Sequence, residues 1–218
     1  LSQTTIGEDD ACSHLLQSIP TFNETVESFE LGVQQKKILI IQSEEGLDRD
    51  AWARAIHLKH IPGDIEFKRF GSSQKEAYPE EKNNNLNTTL YSAEAETIFI
   101  SDIKNLPNDE RAATSKKLIM RSKNHAAKIF IGVEDIEEAS FLGEQNIILL
   151  EVPPLRNALK DIPQMLEETI KFFVERDGHG YRRFSLASQN MLSKYQWPGN
   201  LRQLLDLVQA LLSRKDKE

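Results

Sequence analysis

Five short apolar runs, spread over the first 151 residues, dominate the pattern of hydrophobic and polar positions. They are Lys37–Gln42, Ile65–Phe70, Thr97–Ser101, Lys128–Val133 and Asn146–Glu151. The continuous apolar run Lys37–Gln42 is typical of a strand covered on both faces, Thr97–Ser101 is also predicted to be a buried strand, and the other three segments read as strands. The intervening segments carry helical patterns, such as Asn108–Lys123, with Pro107 just before it, and a short acidic helix over Glu134–Ala139. Strands that alternate with helices favour a parallel sheet wrapped by helices, an α/β fold.

The pattern changes after Pro153, where only helical segments follow. The predicted helices are Ile162–Glu175, Ser185–Tyr195 and Pro198–Leu212, and the turn Asp177–Gly180 separates the first two. The sequence therefore predicts an α/β domain over residues 1–152 and a small all-helical domain over residues 153–218.

The remaining segments are mostly polar. A short helix over Asp9–Ser18 can turn Leu15 and Leu16 inward, whereas Thr21–Gln35 is predicted as a connecting loop. Gly71–Asn87 is rich in Ser, Lys, Glu and Asn, which predicts a surface loop.

Composition excludes several classes of protein. The net charge of −7 argues against direct nucleic-acid binding by the domain as a whole. No apolar run approaches the roughly 20 residues of a membrane helix. A single cysteine, Cys12, cannot form an internal disulfide, and it fits a reducing cytoplasm, where we expect the protein to reside. The histidines lie in separate segments without ligand spacing, so no metal site is expected.

The stretch from Lys37 to His57 reads as a buried strand, a tight loop and an amphipathic helix with Trp52 and Ile56 on one face. Such a connection is where α/β proteins bind phosphate, because the N-terminus of the helix offers free N–H groups and a positive dipole end. The loop here is Ser43–Asp50, SEEGLDRD, and its acidic side chains do not suit a phosphate ligand.

Three motifs near the end of the chain resemble a known family. VPPLR at Val152–Arg156, KDIP at Lys160–Pro163 and WPGNLRQL at Trp197–Leu204 resemble the lid of the AAA+ ATPase domain in NtrC-type, sigma-54-dependent transcription regulators of bacteria. The WPGN motif, followed by an apolar residue and arginine, is the most specific of the three.

The resemblance extends backward over nearly the whole chain. Ile6–Glu8 is similar to the family's first segment, Ala53–His57 to the helix after its phosphate loop, and Thr97–Ile100 with Leu106–Pro107 to the strand and turn around its acidic pair. The resemblance implies a P-loop-type parallel sheet of five strands with flanking helices, followed by a helical lid.

The phosphate loop departs from the family's GESGTGKE. Ser43 and Asp48 replace the first and last glycines, Arg49 replaces the lysine, and Gly46 alone remains of three glycines. Glycines let the backbone wrap the phosphates. A carboxylate at Asp48 opposes them, since two unit charges at ~4 Å repel by roughly 4 kcal/mol at an effective dielectric of about 20. Arg49 is expected to pair with acidic neighbours, and a salt bridge with Asp102 is one hypothesis.

Four further departures concern the chemistry. Ser101-Asp102 stands where the family has Asp-Glu, and serine is a poor magnesium ligand. Val133-Glu134 replaces a Thr-Asn sensor pair, and Phe141–Gln145 contains none of the family's arginines. The GAFTGA motif, which contacts sigma-54, is absent from Gly71–Asn87. The resemblance therefore predicts a degenerate member that is not an enzyme.

The vestigial nucleotide-binding positions implied by the resemblance are Gly7, Gly46, Arg49, Asp102 and Arg202. Arg202 matches the lid arginine that touches the γ-phosphate, and the alternative is a helix-start arginine that pairs with a carboxylate across the domain seam. No catalytic residue, metal or resident cofactor is expected, although ATP or ADP binding stays open.

The predicted role is that of a pseudo-ATPase module in a bacterial transcription regulator. It would self-associate as a dimer or small oligomer and transmit signals between a regulatory domain and a C-terminal DNA-binding domain, neither of which lies in this chain. Contact with sigma-54 or a membrane is not expected. Alternatives are a nucleotide sensor without turnover, an active enzyme with a rearranged site, and an adaptor outside transcription.

The helix before the fourth run carries a basic face formed by Lys116, Lys117, Arg121 and Lys123. We interpret it as a solvated face, with a role in binding nucleic acid or an acidic partner as the alternative.

Overall fold

The computed structural model describes residues 11–71, 86, 90–91, 94–101, 103–105, 108–123 and 127–213. The segments Ile6–Glu8 and Leu106–Pro107 lie outside the described residues, as does most of the predicted loop Gly71–Asn87.

The chain divides into two compact units. One, the helical unit, contains Leu1–Val26, Glu44–Ala55 and Pro153–Glu218, and the other, the sheet unit, contains Glu27–Ser43 and Ile56–Val152. The boundary between Val152 and Pro153 coincides with the predicted domain boundary. The helical unit, however, also includes residues 1–26 and 44–55. The division into residues 1–152 and 153–218 stays a prediction.

The sheet unit is built on five parallel strands, as predicted. They are β1 (Ile38–Gln42), β2 (Glu66–Phe70), β3 (Glu96–Ile100), β4 (Ala127–Val133) and β5 (Ile147–Glu151). Their order in the sheet is β2-β3-β4-β1-β5, so β1 lies between β4 and β5. The most continuous apolar runs became the interior strands, because only interior strands are covered by a strand on each side as well as on both faces.

Alternate side chains of the interior strands form a hydrophobic core. Ile38 and Ile40 on β1, with Ile98 and Ile100 on β3, are buried together on one side of the sheet. Leu118, from helix α5, packs into the same cluster.

In the described ranges between Pro20 and Phe70 and between Asn108 and Ser122 there are four helices. They are α2 (Pro20–Ser28), α3 (Glu30–Gln34), α4 (Arg49–His60) and α5 (Asn108–Ser122). Short 3₁₀ helices cover Ile103–Asn105, Ile136–Leu142 and Glu144–Asn146. The predicted acidic helix after β4 is therefore a 3₁₀ helix. Asp135 and Glu138 form a capping box at its N-terminus.

The prediction that Thr21–Gln35 is a connecting loop is wrong, because α2 and α3 occupy it. Phe22, Val26, Phe29 and Val33 recur at helical spacing, and all four are buried. The many polar residues between them obscured this apolar stripe, which is enough to hold a helix against a core.

Arg121 does not belong to the predicted basic surface of α5. Its side chain is 4% exposed, and its Nη2 donates to Glu96 Oε1 at 2.7 Å. Lys68 Nζ lies 2.8 Å from the other oxygen of Glu96. The Glu96 side chain is held by two cations at the start of β3, because a buried carboxylate needs paired charge.

The helical unit contains α1 (Ala11–Ser18), α6 (Ile162–Asp177), α7 (Leu186–Leu192) and α8 (Asn200–Leu212), with a 3₁₀ helix over Leu155–Asp161. The three helices predicted after Pro153 are thus present. Gly178 ends α6 in the left-handed conformation at φ +69°, and α1 turns Leu15 and Leu16 into the core as predicted.

No helix in the described part of the chain is long and apolar enough to cross a membrane. Likewise, the described residues contain no group of three or more His, Cys, Asp or Glu side chains that could hold a metal ion.

Candidate functional site

The candidate site is the loop between β1 and α4, which begins at Ser43. The Ser43 N–H donates to the Val133 carbonyl at 3.1 Å, which extends the hydrogen bonding of β1 and β4 within the sheet unit by one residue. The next residues, Glu44–Asp50, belong to the helical unit, as do their partners Arg54, Arg156, Asn200 and Arg202.

Asp48 caps the N-terminus of α4 with its side chain. Its Oδ1 accepts from the N–H of Asp50 at 3.0 Å and from the N–H of Ala51 at 3.2 Å. Amide groups at this position have no partner within their own helix, and they are the donors that a phosphate would use. In this chain a carboxylate from the loop itself accepts those two hydrogen bonds.

Arg49 is the first residue of α4. The carboxylate one position further, Asp50, forms an ion pair with Arg54 at 2.8 Å, one turn along the same helix. Asp102 lies outside the described residues, so the hypothesised salt bridge between Arg49 and Asp102 stays a prediction.

Glu44 makes a two-pronged ion pair with Arg156, the arginine of the VPPLR motif. The two oxygens of Glu44 accept from Nη2 at 2.5 Å and from Nη1 at 2.7 Å. The hydrogen bonds from Arg156 lower the pKa of Glu44, and the same contact raises the pKa of Arg156. Since both side chains are more than two-fifths exposed, this pair positions the loop more than it stabilises the fold.

Asn200, from the WPGN motif, joins the loop to the start of the 3₁₀ helix. Its Nδ2 donates to the Glu45 carbonyl at 2.8 Å and to Glu44 Oε2 at 3.3 Å, while its Oδ1 accepts from the Leu155 N–H at 2.9 Å. Asn200 is fully buried and has φ +49°. Asparagine suits the position because it tolerates left-handed backbone and offers a donor and an acceptor on one short side chain.

Gly46 is packed directly against the backbone of the WPGN motif. It has φ +82°, and its carbonyl accepts from the Arg202 N–H at 2.9 Å. A Cβ built on Gly46 would lie 2.2 Å from the carbonyl oxygen of Gly199. The only family glycine that this loop retains is therefore required by a close backbone contact, independently of any phosphate.

The side chain of Arg202 points to solvent. It is 77% exposed, and its Nε lies 3.2 Å from Asp206 Oδ1, one turn further along α8. Its carboxylate partner is thus on its own helix, and not across the domain seam as the alternative to a phosphate contact predicts.

The structure brings together two of the five predicted positions, since the Gly46 carbonyl and the Arg202 N–H are hydrogen bonded. Gly7 and Asp102 lie outside the described residues. The sequence did not predict that Glu44, Arg156 and Asn200 contact one another. Arg156 and Asn200 are in the motifs that carry the family resemblance, and that is the signal that could have identified them.

Residues 156–218 match the AAA+ ATPase lid domain. A putative NtrX-like response regulator of Rickettsia typhi is 28% identical over 165 residues, which cover 68% of this chain and 34% of that protein. The transcriptional regulator NtrC of Bradyrhizobium is 24% identical over 239 aligned residues, covering 94% of this chain and 49% of that one.

Among solved structures, NtrX from Brucella abortus in complex with ADP superposes with a TM-score of 0.69 at 19% identity, covering 91% of this chain and 51% of NtrX. A RuvB variant from Thermotoga maritima superposes with a TM-score of 0.56 at 12% identity, covering 88% of this chain and 60% of that one. The chain spans about half the length, or less, of the relatives it matches along most of its length.

The parallel sheet of five strands, the helix after β1 and the helical part with its lid match define an AAA+ domain. The relatives, at 28% and 24% identity, and the three lid motifs make the chain similar to the AAA+ domains of NtrC-type regulators.

Proposed function

We propose that this domain does not hydrolyse ATP and acts as a structural and signal-transmitting module of a bacterial transcription regulator. The observation that carries the proposal is the cap of α4, where Asp48 accepts hydrogen bonds from two N–H groups at the place where the family binds phosphate. A nucleotide would have to displace this carboxylate and then remain close to its charge.

The surrounding charges add to this barrier. Glu44 and Glu45 are exposed in the same loop, and a phosphate at ~4 Å from one carboxylate is opposed by roughly 4 kcal/mol. Arg156 already makes a two-pronged contact with Glu44. Because Asn200 and Gly46 attach the loop to the backbone of the helical unit, the loop is held in place by protein contacts alone.

Residues at the other mechanistic positions support the same conclusion. Ser101, where the family has its magnesium-binding aspartate, is a hydroxyl rather than a carboxylate, and its backbone N–H donates to the Phe70 carbonyl at 2.9 Å. Val133 is a buried apolar residue in the place of a polar sensor. Phe141–Gln145 contains no arginine, although an arginine finger contributes several orders of magnitude in rate to related phosphoryl transfers.

The wider role rests on the relatives, which are named as response and transcription regulators. We infer that flanking domains complete the protein, that DNA is bound by a C-terminal domain, and that this module self-associates as a dimer or small oligomer in the cytoplasm. Contact with sigma-54 is not part of the proposal, because the sequence lacks the GAFTGA motif.

Calorimetry with ATP and with ADP, each with and without Mg²⁺, tests the proposal. We expect no saturable binding by the wild-type chain and no phosphate release. Saturable binding tighter than ~100 µM would contradict it, since that affinity requires more than about 5 kcal/mol of binding free energy. The matched control is Arg202→Ala, which removes the vestigial lid arginine and should leave the result unchanged.

A nucleotide sensor is the second candidate, and one observation favours it. The Brucella NtrX structures that share this fold were solved with ADP and with ATP. Binding without phosphate release in the same calorimetric experiment would establish this alternative. An adaptor outside transcription would be indicated if the full-length protein lacked a helix-turn-helix domain.

A further inference from the structure

Strand β5 forms one edge of the sheet, where it pairs with β1. The Val152 N–H donates to the Gln42 carbonyl of β1 at 2.9 Å, which fixes the direction of the main-chain groups along β5. Because successive residues of a strand direct these groups to opposite sides, Leu149 and Glu151 direct their N–H and C=O groups away from β1. No strand in the described part of the chain lies on that side of β5.

The apolar layer of the sheet continues onto β5 and ends there in solvent. Leu149 lies beside Ile40 in the register of β1 and β5, and it is therefore on the same side of the sheet. Ile40 is fully buried in the hydrophobic core, and Ile147, at the start of β5, packs against that core. Leu149, in the middle of the strand, is 39% exposed. Among the described residues, Leu149 thus combines an exposed apolar side chain with main-chain groups that no neighbouring strand covers.

The open part of this edge has two defined ends. At the start of β5, the Ile147 N–H donates to the Glu144 carbonyl, which leaves the Ile147 carbonyl for a neighbouring strand. Shortly after β5 come Pro153 and Pro154, which have no N–H to donate. A ladder that a further strand forms on this edge is therefore limited to Ile147–Glu151.

We propose that the outer edge of β5 pairs with the same edge of a second copy of this chain, antiparallel and related by a two-fold axis beside Leu149. The proposal rests on the self-association in the proposed function and names its interface. Such an interface is isologous, because the same residues lie on both sides of the axis. This register places Leu149 opposite its own copy and Ile147 opposite Glu151, so that each residue of one β5 has a counterpart on the other.

The edge is complementary to itself in this register. The two Leu149 residues exchange a pair of main-chain hydrogen bonds, and each Glu151 N–H donates to the Ile147 carbonyl of the other copy. The Ile147 N–H, which Glu144 already accepts, is not needed for these contacts. The two exposed leucines cover each other, and no carboxylate faces a carboxylate. An axis beside Glu151 would instead place two glutamates opposite each other, which is destabilising.

Sedimentation equilibrium of the whole chain between about 5 and 500 µM tests the proposal. We expect weak dimerisation with a Kd of about 10–100 µM, because a ladder of one short strand gives an interface of the smallest class. Leu149→Asp and Leu149→Lys should each weaken dimerisation at least about tenfold, because the axis places like charges opposite each other.

An equimolar mixture of Leu149→Asp and Leu149→Lys gives the sharpest result. It should form a heterodimer at least about tenfold more tightly than either variant dimerises alone, because opposite charges then meet at the axis. A residue with a merely structural role would not show this rescue. The control is Met120→Asp, since Met120 is 74% exposed on α5 in the same unit. It should dimerise as the wild type does, and circular dichroism should show that all variants are folded.

Three results overturn the proposal. If the mixture stays monomeric, the axis does not lie beside Leu149. If Leu149→Asp dimerises as the wild type does, self-association uses another surface, and the proposed function is unaffected. If the wild type is monomeric at all concentrations, the self-association in the proposed function is contradicted as well. Calorimetry with nucleotides tests the absence of hydrolysis independently of all three.

Discussion

Gly46 shows how one residue can be required for a reason unrelated to its place in a phosphate loop. Its backbone lies at φ +82° and approaches the Gly199 carbonyl so closely that no Cβ fits. Left-handed backbone alone destabilises a residue other than glycine by about 1 kcal/mol, and a backbone clash adds to that.

We expect Gly46→Ala to lower the free energy of unfolding of the helical unit by about 2–4 kcal/mol. Tryptophan fluorescence during urea titration measures this unit, because both tryptophans, Trp52 and Trp197, belong to it. Gly178→Ala is the matched control, since it has φ +69° with open space around the new Cβ. Its effect should be about 1 kcal/mol, and equal effects of the two variants would contradict the contact with Gly199.

Asn200 supplies the clearest test of the hydrogen bonds around the loop. Asn200→Ala leaves the buried Leu155 N–H without its acceptor and the Glu45 carbonyl without its Nδ2 donor. We expect a loss of about 2–4 kcal/mol from these unsatisfied groups and the left-handed backbone. Thermal and urea unfolding measure it, and Asn190→Ala, at an exposed position on α7, should change stability by less than about 0.5 kcal/mol.

At the scale of elements, the N-terminus of α4 is where the structure adds most to the sequence. The resemblance predicts α4 as the helix behind a phosphate loop, and the structure shows its N-terminus capped by Asp48. Capping by a short carboxylate is an ordinary way to satisfy the first amides of a helix.

Asp48→Ala should destabilise the helical unit by about 1 kcal/mol, whereas Asp48→Asn should stay within a few tenths. The two variants separate capping from charge, because asparagine keeps the acceptor oxygen and removes the negative charge. Urea titration followed by tryptophan fluorescence measures both. If asparagine is as harmful as alanine, then the charge of Asp48 rather than its cap stabilises α4.

The contact between Glu44 and Arg156 predicts a small dependence of stability on pH. Arg156 lowers the pKa of Glu44 below its ordinary value of 4.5, so the stabilisation is fully present above pH 4.5. It is lost as the pH falls through the lower pKa of the folded state. The difference in unfolding free energy between wild type and Glu44→Gln should therefore be constant from pH 7 to 5 and shrink below 4.5. A difference that grows on acidification would contradict the assignment.

Some elements were predicted from the sequence and others were not. All five strands were predicted, since each is a short segment with apolar residues between helical patterns, and the three interior strands are almost wholly buried whereas the edge strands β2 and β5 are not. The helices α2 and α3 were missed, because a narrow apolar stripe among polar residues resembles a loop until something is packed against it.

At the scale of the whole molecule, the chain has an AAA+ fold in which the loop after β1 is held by contacts of its own unit. The helical unit contains the loop residues Glu44–Asp50, Pro153–Arg156 of the VPPLR motif and the WPGN motif, and these are joined by side-chain and backbone hydrogen bonds. These hydrogen bonds within the chain therefore stabilise the conformation of the loop.

Restoring Ser43→Gly, Asp48→Gly and Arg49→Lys together tests how much function the loop alone determines. We expect weak binding of ATP, because two amides of α4 become available, and no hydrolysis, because Ser101 and the missing arginines are unchanged. Calorimetry and phosphate release provide the two measurements. Steady turnover by the triple variant would show that the loop was the only barrier to catalysis.

The sequence by itself predicted the α/β class, the five strands, the helical end and the resemblance to NtrC-type domains, because burial and short motifs leave a mark in the order of residues. It also showed that Asp48 and Glu44 are acidic. Only the tertiary structure decided what those acids do, since the cap on α4 and the contacts with Arg156 and Asn200 join residues up to 156 positions apart. Hydrogen bonds between such distant positions follow from three-dimensional packing, which no local pattern of residues records.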